Sequence, residues 1–161
     1  MNNKIAIVIV LFATVAISGC INSSLDNINI IMPKLSQNIV DGDSNYNEAV
    51  NYVNNNNYDA ADQKIKKSIS NFNEGQDKLL SINNINELND TIYIQYFDLI
   101  KEELSLKQNA AANLQLANEY FKSGDKTANE YVTKANSLMT QGVFVQNQRQ
   151  SLVVNNPDKF K

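Results

Sequence analysis

From Ser24 onward, apolar residues recur at steps of three and four instead of alternating, which is the period of a helix with one buried face. Ile28, Ile31, Met32, Leu35 and Ile39 share a face between about Ser24 and Val40. Pro33 lies inside that stretch. Because proline removes a backbone donor and restricts the residue before it, the pattern predicts a kink there or a true helix start near Pro33. The polar run "DGDSN", Asp41 to Asn45, reads as an interruption, followed by a short second helix to Asn54 that carries Ala49, Val50, Tyr52 and Val53. "NNNN", Asn54 to Asn57, reads as a hairpin turn, since asparagine tolerates left-handed backbone and caps helices. A long helix is then expected from Tyr58 to Ser81, with Ala61, Ile65, Ser68, Phe72, Gly75 and Leu79 forming a seam. "NNIN", Asn83 to Asn86, ends it. A helix of about 35 residues, some 50 Å long at about 1.5 Å per residue, follows from Glu87 to Lys122. Its stripe is Tyr93, Phe97, Ile100, Leu104, Ala111, Leu114 and Phe121. Gly124 in "SGD" ends that helix, and Thr127 with Glu130 has the spacing of a capping box. The last helix runs to Leu152 through Ala128, Ala135, Leu138, Gly142 and Val145.

If the first two segments stack as one broken arm, these elements make four arms joined by short turns, and short turns force antiparallel neighbours. The fold class expected is therefore all-α, an antiparallel up-down four-helix-type bundle with a broken first arm. The bundle is expected over residues 28–154, after a polar tether at 20–27 and before a C-terminal tail at 155–161. Two hairpins, "NYVNNNNYDAA" and "EYFKSGDKTA", faintly resemble tetratricopeptide repeats. The arms are longer than that family's period of about 34 residues allows, and its tryptophan, glycine and proline positions are missing.

The first 20 residues follow a different logic. "MNNKIAIVIVLFATVAISGC" has one cation, Lys4, an apolar run from Ile5 to Ile17 and then small residues. That order belongs to an export signal, and the run is shorter than the roughly 20 residues needed to span a bilayer. "ISGC", Ile17-Ser18-Gly19-Cys20, resembles the lipobox of bacterial and archaeal lipoproteins. The resemblance implies that residues 1–19 are a signal peptide cut after Gly19 and that Cys20, the chain's single cysteine, carries the lipid as the mature N-terminus. Membrane contact through that lipid and a place on the outer face of the cytoplasmic membrane or cell envelope follow from the same resemblance. Ordinary cleavage after Ser18 and a buried structural cysteine are the competing readings of the same residues.

Charge and residue inventory narrow the chemistry. Removal of residues 1–19 leaves 13 cations against 17 anions, a net charge of −4, which speaks against nucleic acid as a partner. Histidine is absent, and a lipidated Cys20 leaves no free thiol, so the usual zinc, haem, Ser-His-Asp and Cys-His arrangements have no residues to use. Asp41, Asp43 and Asn45 match the first spacings of a calcium loop, but Tyr46 stands where glycine is needed and Tyr52 where the bidentate glutamate belongs. Asp59 with Asp62, and Glu87 with Asp90, sit at helix starts where they favour the dipole. Glu102 and Glu103 are adjacent and diverge around a helix. The chain is accordingly expected to be no enzyme and to take neither cofactor nor metal.

Tyr46, Tyr52 and Tyr58 bracket the first hairpin and are the residues expected to form a partner or ligand surface, because a tyrosine ring stacks while its hydroxyl stays wet. Asn22 and Asn89 fit the N-glycosylation pattern, which matters only where the source glycosylates exported proteins. The function expected is a membrane-anchored helical interaction or structural module with a protein partner in the envelope. An extracytoplasmic solute- or glycan-binding lipoprotein is the alternative.

Overall fold

The structure is a computed structural model that describes residues 23–82 and 90–160. Its elements are four helices, α1 (Ser23–Asn54), α2 (Tyr58–Leu80), α3 (Thr91–Ser123) and α4 (Ala128–Asn155), with no strand among the described residues. The all-α bundle follows from the three-four periodicity, and the expected seams are where the core is. Ala61, Ile65, Ser68, Phe72, Gly75 and Leu79 are all buried on α2, and so are Tyr93, Phe97, Ile100, Leu104, Ala111 and Leu114 on α3.

The first arm is not broken. α1 is one helix of 32 residues that runs through both Pro33 and "DGDSN". Pro33 is exposed, as is Asn29, whose carbonyl the missing donor would have met, so the lost bond falls on the solvent-facing side of the helix. "DGDSN" stays helical because tertiary contacts outweigh its low propensity. Gly42 lies against the Phe72 ring so closely that a Cβ there would collide with Phe72 Cε1. The Gly42 carbonyl accepts the Ser68 hydroxyl at 2.8 Å. Asp41 accepts the Gln37 amide at 2.9 Å, and the Asn45 side chain donates to the Asp41 carbonyl at 2.8 Å.

The turns are built largely from the residues the sequence marks. Asn56 takes a left-handed φ of 56°, and the Asn57 side chain caps α2 by accepting from the Ala60 amide at 3.3 Å. Gly124 closes α3 at φ 74°. Three local expectations change. The third long helix begins at Thr91, capped by Asp90, whose carboxylate accepts the Ile92 amide at 2.9 Å; residues 87–89 lie outside the described residues. Thr127 makes no capping bond of its own. Asp125 instead accepts both its amide, at 2.8 Å, and its hydroxyl, at 2.7 Å. Finally, α1 starts at Ser23, inside the segment read as tether, and the segment read as tail is packed: Phe160 is buried edge-on against Tyr93 and tilted against Tyr96.

Cross-helix contacts fix the arrangement. Lys64 pairs with Glu48 and Ser68 with Gly42, so α1 and α2 are antiparallel. Asn118 donates to the Tyr58 carbonyl and Gln108 to Asn73, so α2 and α3 are antiparallel as well. Tyr120 stacks on Tyr131 while Tyr93 donates to the Lys159 carbonyl, which gives α3 and α4 the same relation. The backbones pack in chain order, α1 on α2, α2 on α3 and α3 on α4, with a light touch between α1 and α3 and no close backbone approach of α4 to α1 or α2. The bundle is thus two hairpins laid side by side, α2 against α3.

Candidate functional site

Near the middle of the bundle the apolar stripe of α3 is interrupted by ions. Lys107 is wholly buried between Leu104 and Ala111, and its ammonium reaches three helices: 2.6 Å to Asp43 Oδ2 on α1, 2.8 Å to Glu103 Oε1 on α3 and 3.1 Å to Gln146 Oε1 on α4. The other oxygen of Glu103 accepts Arg149 Nε at 3.0 Å, and Arg149 also lies 5.7 Å from the centre of the Tyr96 ring. Two carboxylates and two cations therefore balance within one sealed cluster. Gly142 makes room for it, because a Cβ there would stand 3.0 Å from Lys107 Cγ.

The electrostatics follow from burial. Asp43 is pushed up to about 6, chiefly because burial penalises its charged form, against the pull of Lys107 and Arg149 and with a further push from Glu103. Burial pulls Arg149 down, but the adjoining Glu103 carboxylate more than restores it and the net direction is upward. Two polar atoms at its edge, Asp43 Oδ1 and Gln146 Nε2, are buried without a hydrogen-bond partner. What the cluster does is bind α1, α3 and α4 to one point.

The sequence signal for these ions was their register. Glu103 and Lys107 are four apart within the stripe that holds Ile100, Leu104 and Ala111, and Gln146 and Arg149 continue the stripe that holds Gly142. Attention to acids at helix starts passes them over. Asp43 belonged to a segment read as a linker, and inside α1 it turns to Lys107 while Asp41 and Asn45 bond within their own helix, so the calcium-like spacing assembles no site. No group of three or more His, Cys, Asp or Glu placed to hold a metal occurs among the described residues.

The tyrosines expected to line a surface separate. Tyr46 is buried, its hydroxyl has no hydrogen-bond partner, and burial pushes its phenol upward. Tyr52 is half-buried beside the core. Tyr58 stacks on Phe121 at 5.9 Å and donates to the Asn56 side chain at 2.8 Å. The preceding residue of α3 carries a second pair, Tyr120 on Tyr131 at 5.3 Å. Both short turns lie at this end of the bundle, away from the start of α1, so the two half-exposed aromatic pairs form its distal tip. Cys20, Asn22 and Asn89 lie outside the described residues.

On the flank, a shallow groove of about 470 Å³ runs between α3 and α4, lined among others by Leu99, Phe144, Gln148 and Leu152. Among the described residues no helix is long and apolar enough to cross a membrane. Compared with known proteins, the chain matches no family model, no curated protein and no solved structure.

Proposed function

We propose that the chain is an extracytoplasmic lipoprotein, held at the outer face of the cytoplasmic membrane or in the cell envelope by lipid on Cys20, whose helical bundle is a non-catalytic interaction or structural module. The observation that carries the reading is the Ile17-Ser18-Gly19-Cys20 motif standing three residues before α1 begins. A bundle grown directly from the lipidated residue is a spacer: 32 residues at about 1.5 Å each set the distal tip some 48 Å from the start of α1. The aromatic pairs at that tip are the surface a partner in the envelope meets. Each lipid methylene buried in the bilayer contributes roughly 0.8 kcal/mol, so a two-chain anchor holds without help from charge. Ligand binding ranks second, because the tyrosines that were to form a stacking rim do not converge: Tyr46 is in the core and Tyr58 is committed to Phe121.

Cys20→Ser is the test. The variant is expected to leave the carbonate-resistant membrane fraction or to accumulate unprocessed, read by immunoblot of fractionated cells. A processed Cys20→Ser protein that stays in that fraction overturns the anchor.

A further inference from the structure

The outward face of α4 is unlike those of α2 and α3. α2 exposes Asp59, Lys66, Lys67, Glu74 and Asp77, and α3 exposes Asp98, Lys101, Glu102, Glu119 and Lys122. From Ala135 to Pro157, by contrast, the only charged residue is Arg149, which is buried on Glu103. Along the same stretch Ser137, Thr140, Phe144, Asn147, Ser151 and Val154 follow one another at alternating steps of three and four, and all six are exposed. That is the spacing of a helix-pairing seam, laid on the outside of the molecule. Phe144 is 62% and Val154 75% exposed, large apolar surfaces with no neighbour to cover them. α4, like α1, stands at an end of the array, its backbone approaching α3 alone, whereas α2 and α3 each lie against helices on both sides.

We propose that two copies of this chain pair through α4, parallel and in register, along Ser137 to Val154. The absence of charge is what a second copy requires. In a symmetric contact each residue near the axis meets its own copy, so any charge on the seam would face a like charge, a constraint that no unlike partner imposes. An asparagine amide both donates and accepts, so Asn147 can pair with Asn147 of a second copy, as a polar residue within a pairing seam does. Small Ser137, Thr140 and Ser151 let the backbones approach, and the groove beside Phe144 gives the opposing ring room against Leu99 and Leu152. The seam spans about 26 Å at 1.5 Å per residue, a short contact that is weak in free solution and gains from confinement to a shared surface. The parallel sense rests on the anchor reading, since only that sense sets both N-termini at one end. The pairing itself does not.

The experiment uses the full chain, purified in detergent, in a Cys20→Ser background that removes its single thiol. Ser137→Cys, Asn147→Cys and Val154→Cys are each expected to form a self-disulfide on mild oxidation, at least about tenfold above Lys67→Cys on the charged outer face of α2, a gap that corresponds to one decade in association. Adding Phe144→Glu is expected to bring Asn147→Cys down to the Lys67→Cys level, with circular dichroism confirming the fold. Asn147→Cys no better than Lys67→Cys overturns the pairing, and cross-linking at Asn147 alone, near the seam's midpoint, overturns the parallel register. The Cys20→Ser chain without any added cysteine supplies the second measurement: sedimentation in detergent is expected to show a monomer-dimer equilibrium, and a monomer at every concentration overturns the proposal. Because no arm depends on lipid, failure here is distinct from membrane retention of processed Cys20→Ser.

Discussion

Asp43 is the residue whose ionisation the fold opposes. Its carboxyl ionises near 3.8 when free in water and is pushed up to about 6 by burial in the bundle, so between those values the folded chain holds a proton that the unfolded chain has released. A folded state that binds the extra proton gains stability as pH falls. Asp43's share of the stability is therefore fully present below about 4, the unfolded value, and is lost as pH rises through about 6. Half-buried Asp90 and exposed Asp125 are shifted down and run in the opposite direction, so the effect is read as a difference. Urea unfolding of wild type and Asp43→Asn at several pH values should show the wild type losing ground against the variant from pH 4.5 to 7. A difference independent of pH would mean that Asp43 ionises in the bundle as it does in water.

At the scale of the element, α1 shows where sequence reading succeeds and where it stops. Its apolar face was legible, because Ile28, Met32, Leu35 and Ile39 are spaced as a helix needs and are buried. Its continuity was not, because glycine flanked by two aspartates has the local signature of a break, and what holds the segment helical comes from residues 26 to 64 positions away: Ser68, Phe72 and Lys107. The turns at Asn54 to Asn57 and at Gly124 were legible for the converse reason, being decided by neighbours in the chain, whereas the break expected at Asn83 to Asn86 lies outside the described residues. The ionic cluster fell between these cases, since Glu103 and Lys107 stood in the right register but a charge at a core position carries no mark of the partners that neutralise it. Gly42→Ala tests the account of α1. Its new methyl must displace the Phe72 ring and should destabilise the protein by about 1 to 3 kcal/mol, the usual cost of overpacking, measured by thermal or urea unfolding. A neutral Gly42→Ala would show that the close approach of Phe72 is not what requires glycine there.

Seen as a whole, the molecule is two helical hairpins with a common ionic clamp. Backbone contact between the hairpins is chiefly that of α2 on α3, and the backbones of α1 and α4 do not approach closely; both helices are nevertheless held to α3 through Lys107. Lys107→Ala takes the shared cation away, leaves Asp43 and Glu103 buried with only Arg149 between them, and should cost about 3 to 5 kcal/mol in equilibrium unfolding. A cost below about 1 kcal/mol, the scale of a surface ion pair, would place the clamp outside the forces that hold the hairpins together. The clamp has a kinetic side too. Each hairpin closes through a turn of a few residues, so its contacts are local and form early. Asp43 and Lys107, however, stand 64 positions apart, and both must shed their water before their attraction rewards the encounter. The joining of the two finished hairpins is then expected to be the slow step of folding and the first to reverse when the protein opens, so hydrogen exchange should show the contact between α2 and α3 opening before either hairpin; hairpins that open first would refute this order.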